Sequence, residues 1–127
     1  MPTRSELERY RAVLQKTLLE NILGFWYART TDPTGGYVLN HDLDGKPKGP
    51  GVKMIVSQAR MLWFYSRMAR YGHDPKAMLA AAEHGFVFLR DKMWDAKYGG
   101  FYWELNGAGK PAKTNKHLYG QSFALYA

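Results

Sequence analysis

The sequence contains no cysteine, which excludes disulfides and thiolate metal sites and leaves several compartments open. It has no apolar run of the roughly 18 residues needed to span a bilayer, and its amino terminus, MPTRSELERY, lacks the apolar core of a secretory signal. A soluble, unexported chain with no membrane partner is expected, with the cytoplasm as the default location. Like charges are not massed either. The formal net charge is +7, yet Arg4, Arg9, Arg11, Lys16, Arg29, Lys46, Lys48, Lys53, Arg67 and Arg70 are scattered among Glu6, Glu8, Glu20, Asp42 and Asp44. Affinity for phosphates comes from clustered Lys and Arg that release counterions. The scatter therefore predicts a solvated basic surface and no nucleic-acid partner.

What is present is ample apolar surface: 127 residues, 46% hydrophobic and 15% aromatic, enough to pack the core of one small domain. Ser5 and Glu8 have capping-box spacing and predict a helix start. Leu7, Tyr10, Leu14, Leu18, Ile22 and Phe25 then form one apolar stripe over about residues 6 to 26. A second helix fits Val52 to Tyr71, apolar on more than one face and so expected to lie between other elements, with Gly72 as its stop. Asp74 as N-cap and Pro75 in the first turn open a third. Its stripe is Met78, Leu79, Ala82, Phe86 and Leu89, running to about Met93. A fourth is expected from near Asn115 and is still apolar and periodic at Ala127.

Between helices one and two, and again between three and four, lie GGYVLNHDLDGKP (35–47) and YGGFYWELNGAGKP (98–111). Aromatic and aliphatic residues flanked by Gly-Gly, Asp-Gly and Asn-Gly read as short β-hairpins. The two stretches are related by a fixed step. Gly36 to Gly100, Lys46 to Lys110 and Pro47 to Pro111 are each 64 positions, and Lys53 to Lys116 is 63. Lys53, Gln58, Leu62 and Trp63 fall on Lys116, Gln121, Leu125 and Tyr126 without a gap, and Asp32 and Asp95 precede the two Gly-Gly pairs. This points to a repeated helix, hairpin, helix unit, at about residues 6–71 and 75–127. Two such units do not complete a core, because each repeat buries its apolar face on its neighbours and terminal copies carry polar caps. One incomplete domain, the first part of a longer protein, is expected, with self-association through its open end as the alternative.

The segments ENILGFW, TDPTGGY, SQARMLWFYSRMARYG, WDAKYGGFYWELNGAGKP and KHLYGQSFALYA, in this order, resemble the amino-terminal part of the N-acylglucosamine 2-epimerase family, its cellobiose 2-epimerase-like branch in particular. The resemblance implies a mainly α fold, the first two helix-hairpin-helix repeats of an (α/α)6 barrel with short β-hairpins in the loops. It also implies reversible epimerisation at C2 of an aldose, or aldose–ketose isomerisation, on a free mono- or disaccharide, with no metal or organic cofactor. Imidazole suits such proton transfer because its pKa lies close to working pH. In the family the catalytic histidines lie in later helices, so the resemblance places none among His41, His73, His84 and His117, each of which reads as structural or solvated.

The resemblance assigns substrate binding to three residues. Arg60 would hold sugar oxygens and stabilise the enediolate. Tyr119 would donate to a sugar oxygen, and Phe123, four residues on and on the same helical face, would pack on the sugar's C–H face. Without it, Arg60 reads first as the partner of a carboxylate elsewhere in the ring, and Phe123 as core; Trp63, Trp94 and Trp103 read as packing residues. Two further classes stay open: a glycoside hydrolase drawing paired carboxylates from Asp91, Asp95 and Glu104, and a noncatalytic helical binding module.

Overall fold

The computed structural model describes all 127 residues. They form two compact units, Met1–Thr30 and Thr31–Ala127. The first is helical from Arg4 onward: α1 (Arg4–Lys16), a π-helical segment (Thr17–Leu23) and α2 (Gly24–Thr30). Its cap is Thr3, not Ser5. The Thr3 side chain accepts from the Glu6 amide while Glu6 Oε2 accepts from the Thr3 amide at 2.7 Å. Both Thr3/Glu6 and Ser5/Glu8 have the required spacing; the upstream pair caps the helix, and Glu8 accepts instead from Arg4 Nε at 3.1 Å. The predicted stripe does not form a buried seam. Leu7, Tyr10, Leu14 and Ile22 are exposed, and the wider π turns bring Leu23 into a buried position instead.

The second unit is built around α3 (Ile55–Tyr71), which packs on α4 (Pro75–Phe88) and on α5 (Leu118–Tyr126). Gly72, at φ 92°, ends α3 in the left-handed conformation that glycine tolerates. Asp74 then caps α4 through the Ala77 amide at 3.2 Å, as expected, and a π-helical segment (Leu89–Met93) carries the helix to the predicted end. The stripe of α4 is rotated from expectation: Leu79 and Phe86 are exposed, and Met78, Ala81, Ala82, Gly85 and Phe88 are buried. The reason is close approach. The buried Tyr37 ring lies over Gly85, where a Cβ would be 2.2 Å from its hydroxyl oxygen, and that hydroxyl donates to the Ala81 carbonyl at 2.7 Å.

β1 (Lys53–Met54), β2 (Glu104–Leu105) and β3 (Pro111–Lys113) form an antiparallel sheet in the order β1-β2-β3. Lys53 pairs with Leu105 and Met54 with Glu104, so α3 starts at Ile55 and not Val52: the two preceding residues are held extended by the sheet. The second Gly-Gly stretch forms a hairpin, β2–β3. The first is reduced to the isolated bridges Thr31–Tyr37 and His41–Pro47. α5 begins at Leu118, three residues beyond the predicted Asn115. Lys116 reaches back to Asp95, and the His117 ring lies edge-on to Trp103 with centroids 4.6 Å apart, so both residues stay outside the helix.

Candidate functional site

The duplication in sequence is a duplication of hydrogen bonds. Lys53 Nζ donates to Asp32 Oδ2 at 2.5 Å and Lys116 Nζ to Asp95 Oδ2 at 2.6 Å, both across 21 positions. Gln58 accepts from the Tyr37 amide and donates to the Tyr37 carbonyl, each at 2.8 Å; Gln121 does the same to Phe101 at 2.8 and 2.9 Å. The Asp32 and Asp95 amides donate to Gly36 and Gly100 carbonyls at 3.0 and 2.8 Å. The glycines are required because both have positive φ, 70° and 73°, and side-chain atoms would meet the glutamine oxygens. Each clip thus fastens a Gly-Gly loop to the first turn of a helix, α3 or α5. Sequence reading aligned these residues without recognising that the Asp pairs with the Lys; the equal 21-residue separation in both copies was the available signal.

The charges are matched to their surroundings. Burial opposes ionisation of Asp32, but the Lys53 ammonium and the Thr34 hydroxyl and amide hold its carboxyl below the usual carboxylate range. For Asp95 the Lys116 ammonium acts most strongly in the same direction, helped by the Tyr98 and Lys97 amides and opposed by burial. The three carboxylates considered for glycosidase chemistry are all in ion pairs: Asp91 with Arg90 at 2.5 Å, Asp95 with Lys116, and Glu104 with Lys113 at 2.9 Å.

α3 and α5 are neighbours running in the same direction. A Cβ on Gly120, near the start of α5, would be 2.7 Å from Ile55 Cγ2 at the start of α3, while Trp63 and Tyr126 further along stack at 5.5 Å. The proposed sugar-binding residues sit on these two helices. Arg60, on α3, is exposed and makes no ion pair with another of the 127 residues. Tyr119 and Phe123 on α5 meet edge to face at 4.9 Å; Tyr119 is exposed and Phe123 half-buried, lining a cavity of about 400 Å³ with Ser122 and Tyr126. No hydrogen bond or ring contact joins Arg60 to the aromatic pair. Positions 60 and 123 are equivalent under the 63-residue step, as are 56 and 119, yet the copies carry Arg and Phe, Val and Tyr. Residues that build the clip are duplicated; those of the candidate site are not.

His84 Nε2 is 2.9 Å from the Gly36 carbonyl, to which it donates, and His117 packs on Trp103. The His73 amide donates to Met68 beyond the end of α3, and His41 bridges Pro47. No group of three or more potential metal ligands occurs, and no helix is long and apolar enough to cross a membrane. Of the packing tryptophans, Trp63 stacks on Tyr126 and Trp103 meets His117, whereas Trp94 is largely exposed beside Phe101.

Residues 35–127 match the family described as N-acylglucosamine 2-epimerase (GlcNAc 2-epimerase). The chain is 41% identical over 120 residues to a cellobiose 2-epimerase of Eubacterium cellulosolvens, covering 91% of this chain and 28% of that protein. It is 30% identical over 128 residues to a D-mannose isomerase of Marinomonas mediterranea, covering 93% of this chain and 30% of the relative. Its structure is similar to that of a cellobiose 2-epimerase from Spirochaeta thermophila with a TM-score of 0.89 at 35% identity, covering 99% of this chain and 31% of the other. The chain therefore spans less than a third of the length of these relatives.

Proposed function

The chain belongs to the N-acylglucosamine 2-epimerase family, and from that premise we propose that it is part of a sugar 2-epimerase or aldose–ketose isomerase acting at C2 of a free reducing mono- or disaccharide. The observation that carries this reading is the likeness, at 35% identity over nearly the whole chain, to a cellobiose 2-epimerase. The units at about 6–71 and 75–127 are then the first two helix-hairpin-helix repeats of an (α/α)6 barrel, together one incomplete domain.

In this reading the ring-opened sugar loses its C2 proton to a general base, the electrons pass to the C1 oxygen as an enediolate, and a proton returns to C2 on the other face or to C1. Histidines beyond Ala127 serve as acid and base. Arg60, exposed on α3, orients the oxygens and stabilises the enediolate charge. Tyr119 donates to a sugar oxygen and Phe123 packs on the C–H face. The 127 residues alone bind weakly and do not turn over, because their side of the cavity is open and their histidines hold loops and rings.

The test is hydrogen exchange at C2 of cellobiose and mannose in deuterated solvent, followed by NMR. The chain alone is expected to show none, whereas a chimera with the remaining two thirds of the Eubacterium cellulosolvens relative exchanges. Arg60→Ala in the chimera should lower kcat/KM by about a hundredfold or more. Exchange by the isolated chain that is lost in His117→Ala would overturn the placement of the proton-transfer groups.

A further inference from the structure

The turns at the tips of the two Gly-Gly loops are built alike. The Asp42 amide donates to the Lys46 carbonyl at 2.9 Å and the Gly45 amide to the Asp42 carbonyl at 3.1 Å; 64 positions later the Asn106 amide donates to Lys110 and the Gly109 amide to Asn106, each at 2.9 Å. In the first turn the amides of Asp44 and Lys46 both donate to Asp42 Oδ1, at 3.0 and 2.9 Å. In the second those of Ala108 and Lys110 both donate to Asn106 Oδ1, each at 3.0 Å. The residue that follows is what differs. Leu43 is fully exposed, whereas a Cβ at Gly107 would lie 2.6 Å from the Pro50 carbonyl oxygen. Packing against the end of the first loop thus demands glycine after Asn106, and none of the other asparagines, Asn21, Asn40 and Asn115, precedes a glycine.

We propose that Asn106 is a site of spontaneous deamidation in the folded chain, and that the turn accepts the aspartate product as it accepts Asp42. The two amides on Oδ1 polarise the Asn106 side-chain carbonyl and are placed as an oxyanion hole for the tetrahedral intermediate. The Gly107 nitrogen makes no hydrogen bond and has no side chain to obstruct its approach. Asn106 is exposed, so hydroxide and water reach it. Once hydroxide has taken the Gly107 amide proton, the nitrogen attacks Asn106 Cγ; the N–Cγ bond forms, the Cγ–Nδ2 bond breaks, and Nδ2 leaves as ammonia with a proton from water. Water then opens the succinimide. Opening at Cγ leaves aspartate at position 106, and opening at the main-chain carbonyl leaves the isoaspartyl form, whose main chain is longer by a methylene. A water is consumed and an ammonia released, with no oxidant or reductant. At Asp44–Gly45, also an acidic residue before glycine, the glycine amide is instead committed to the Asp42 carbonyl.

The test is incubation of the purified chain in mildly alkaline buffer, followed by peptide mapping by mass spectrometry and labelling of isoaspartyl product with an isoaspartyl-specific methyltransferase. Asn106 is expected to lose its amide while Asn21, Asn40 and Asn115 keep theirs, and the chain gains a negative charge visible on ion exchange. Because only the folded turn supplies the two donors to Oδ1, Asn106 should react at least as fast in the folded chain as in the chain unfolded by urea. Asn106→Asp, which makes the aspartate product directly, should leave the urea unfolding midpoint unchanged. A folded chain that reacts more slowly than the unfolded one, conversion of the other asparagines at an equal rate, or a lowered midpoint in Asn106→Asp would each overturn the proposal.

Discussion

Ile55 and Leu62 on α3 are 0% and 6% exposed, whereas Leu118 and Leu125, 63 positions later on α5, are 83% and 85% exposed. The lysines of the two clips differ in the same sense, Lys53 with 1% and Lys116 with 28% of the side chain exposed. The hydrogen-bond pattern is nonetheless the same in both. A clip needs only residues within about twenty positions of one another, so each copy makes its own. Burial needs packed neighbours, and α3 lies against two helices, α4 and α5, where the helix packed most on α5 is α3. The copies should therefore respond alike in geometry and unequally in energy.

The largest expected inequality is between apolar truncations. Leu62→Ala should cost about 3 kcal/mol in urea unfolding, as for buried leucines, while Leu125→Ala should stay within about 0.5 kcal/mol.

Next come the clips. Lys53→Met leaves Asp32 largely buried without its counterion and is expected to cost about 3 kcal/mol, the low end for a broken buried pair, because Asp32 retains contact with water. Lys116→Met should cost clearly less, since solvent reaches the lysine. Equal losses in unfolding midpoint would show that exposure does not set the strength of the pair.

Smaller again is the pair of glycines. Alanine at position 36 must accept a positive φ and place its Cβ 2.6 Å from Gln58 Oε1 and 2.8 Å from the Phe88 ring; at position 100 the nearest atom is Gln121 Oε1 at 3.0 Å. Gly36→Ala is expected to cost about 2 kcal/mol or more and Gly100→Ala about 1 kcal/mol.

The mildest effect is on pH dependence. Asp32 and Asp95 both have carboxyls lowered in the folded chain, so the stabilisation is present above the unfolded value near 3.9 and is lost as pH falls through the lower folded values. Stability should be flat from neutral pH down to about 5 and then fall. Asp32→Asn and Asp95→Asn should each flatten part of that fall, and the double variant more, by urea titration at stepped pH.

The element types were legible because they rest on local chemistry. Gly72 and Asp74-Pro75 punctuate α3 and α4 through backbone conformations available to few residues, and the mainly helical character follows from apolar spacing. The 63-residue step was legible too, since glycines and lysines needed for a shared geometry recur with it. One difference is local: Thr3 caps α1 two residues ahead of Ser5. The others fall where distant parts of the chain compete: strand pairing with Glu104–Leu105 delayed α3, and Lys116 and His117 were drawn from α5 by Asp95 and Trp103. The face of α4 was misplaced because side-chain hydrophobicity ranks Phe86 above Gly85, while close packing under Tyr37 requires the residue with no side chain. The candidate site divides the same way. Arg60, Tyr119 and Phe123 could be named from sequence through a family resemblance. That Arg60 pairs with no carboxylate of these 127 residues, that the Tyr119 and Phe123 rings touch, and that the clips hold the starts of α3 and α5 depend on which surfaces meet in space. Sequence determines what each residue can offer and which local geometry it prefers; only the packed chain decides which offers are taken up, because a contact's energy depends on what else excludes water from it.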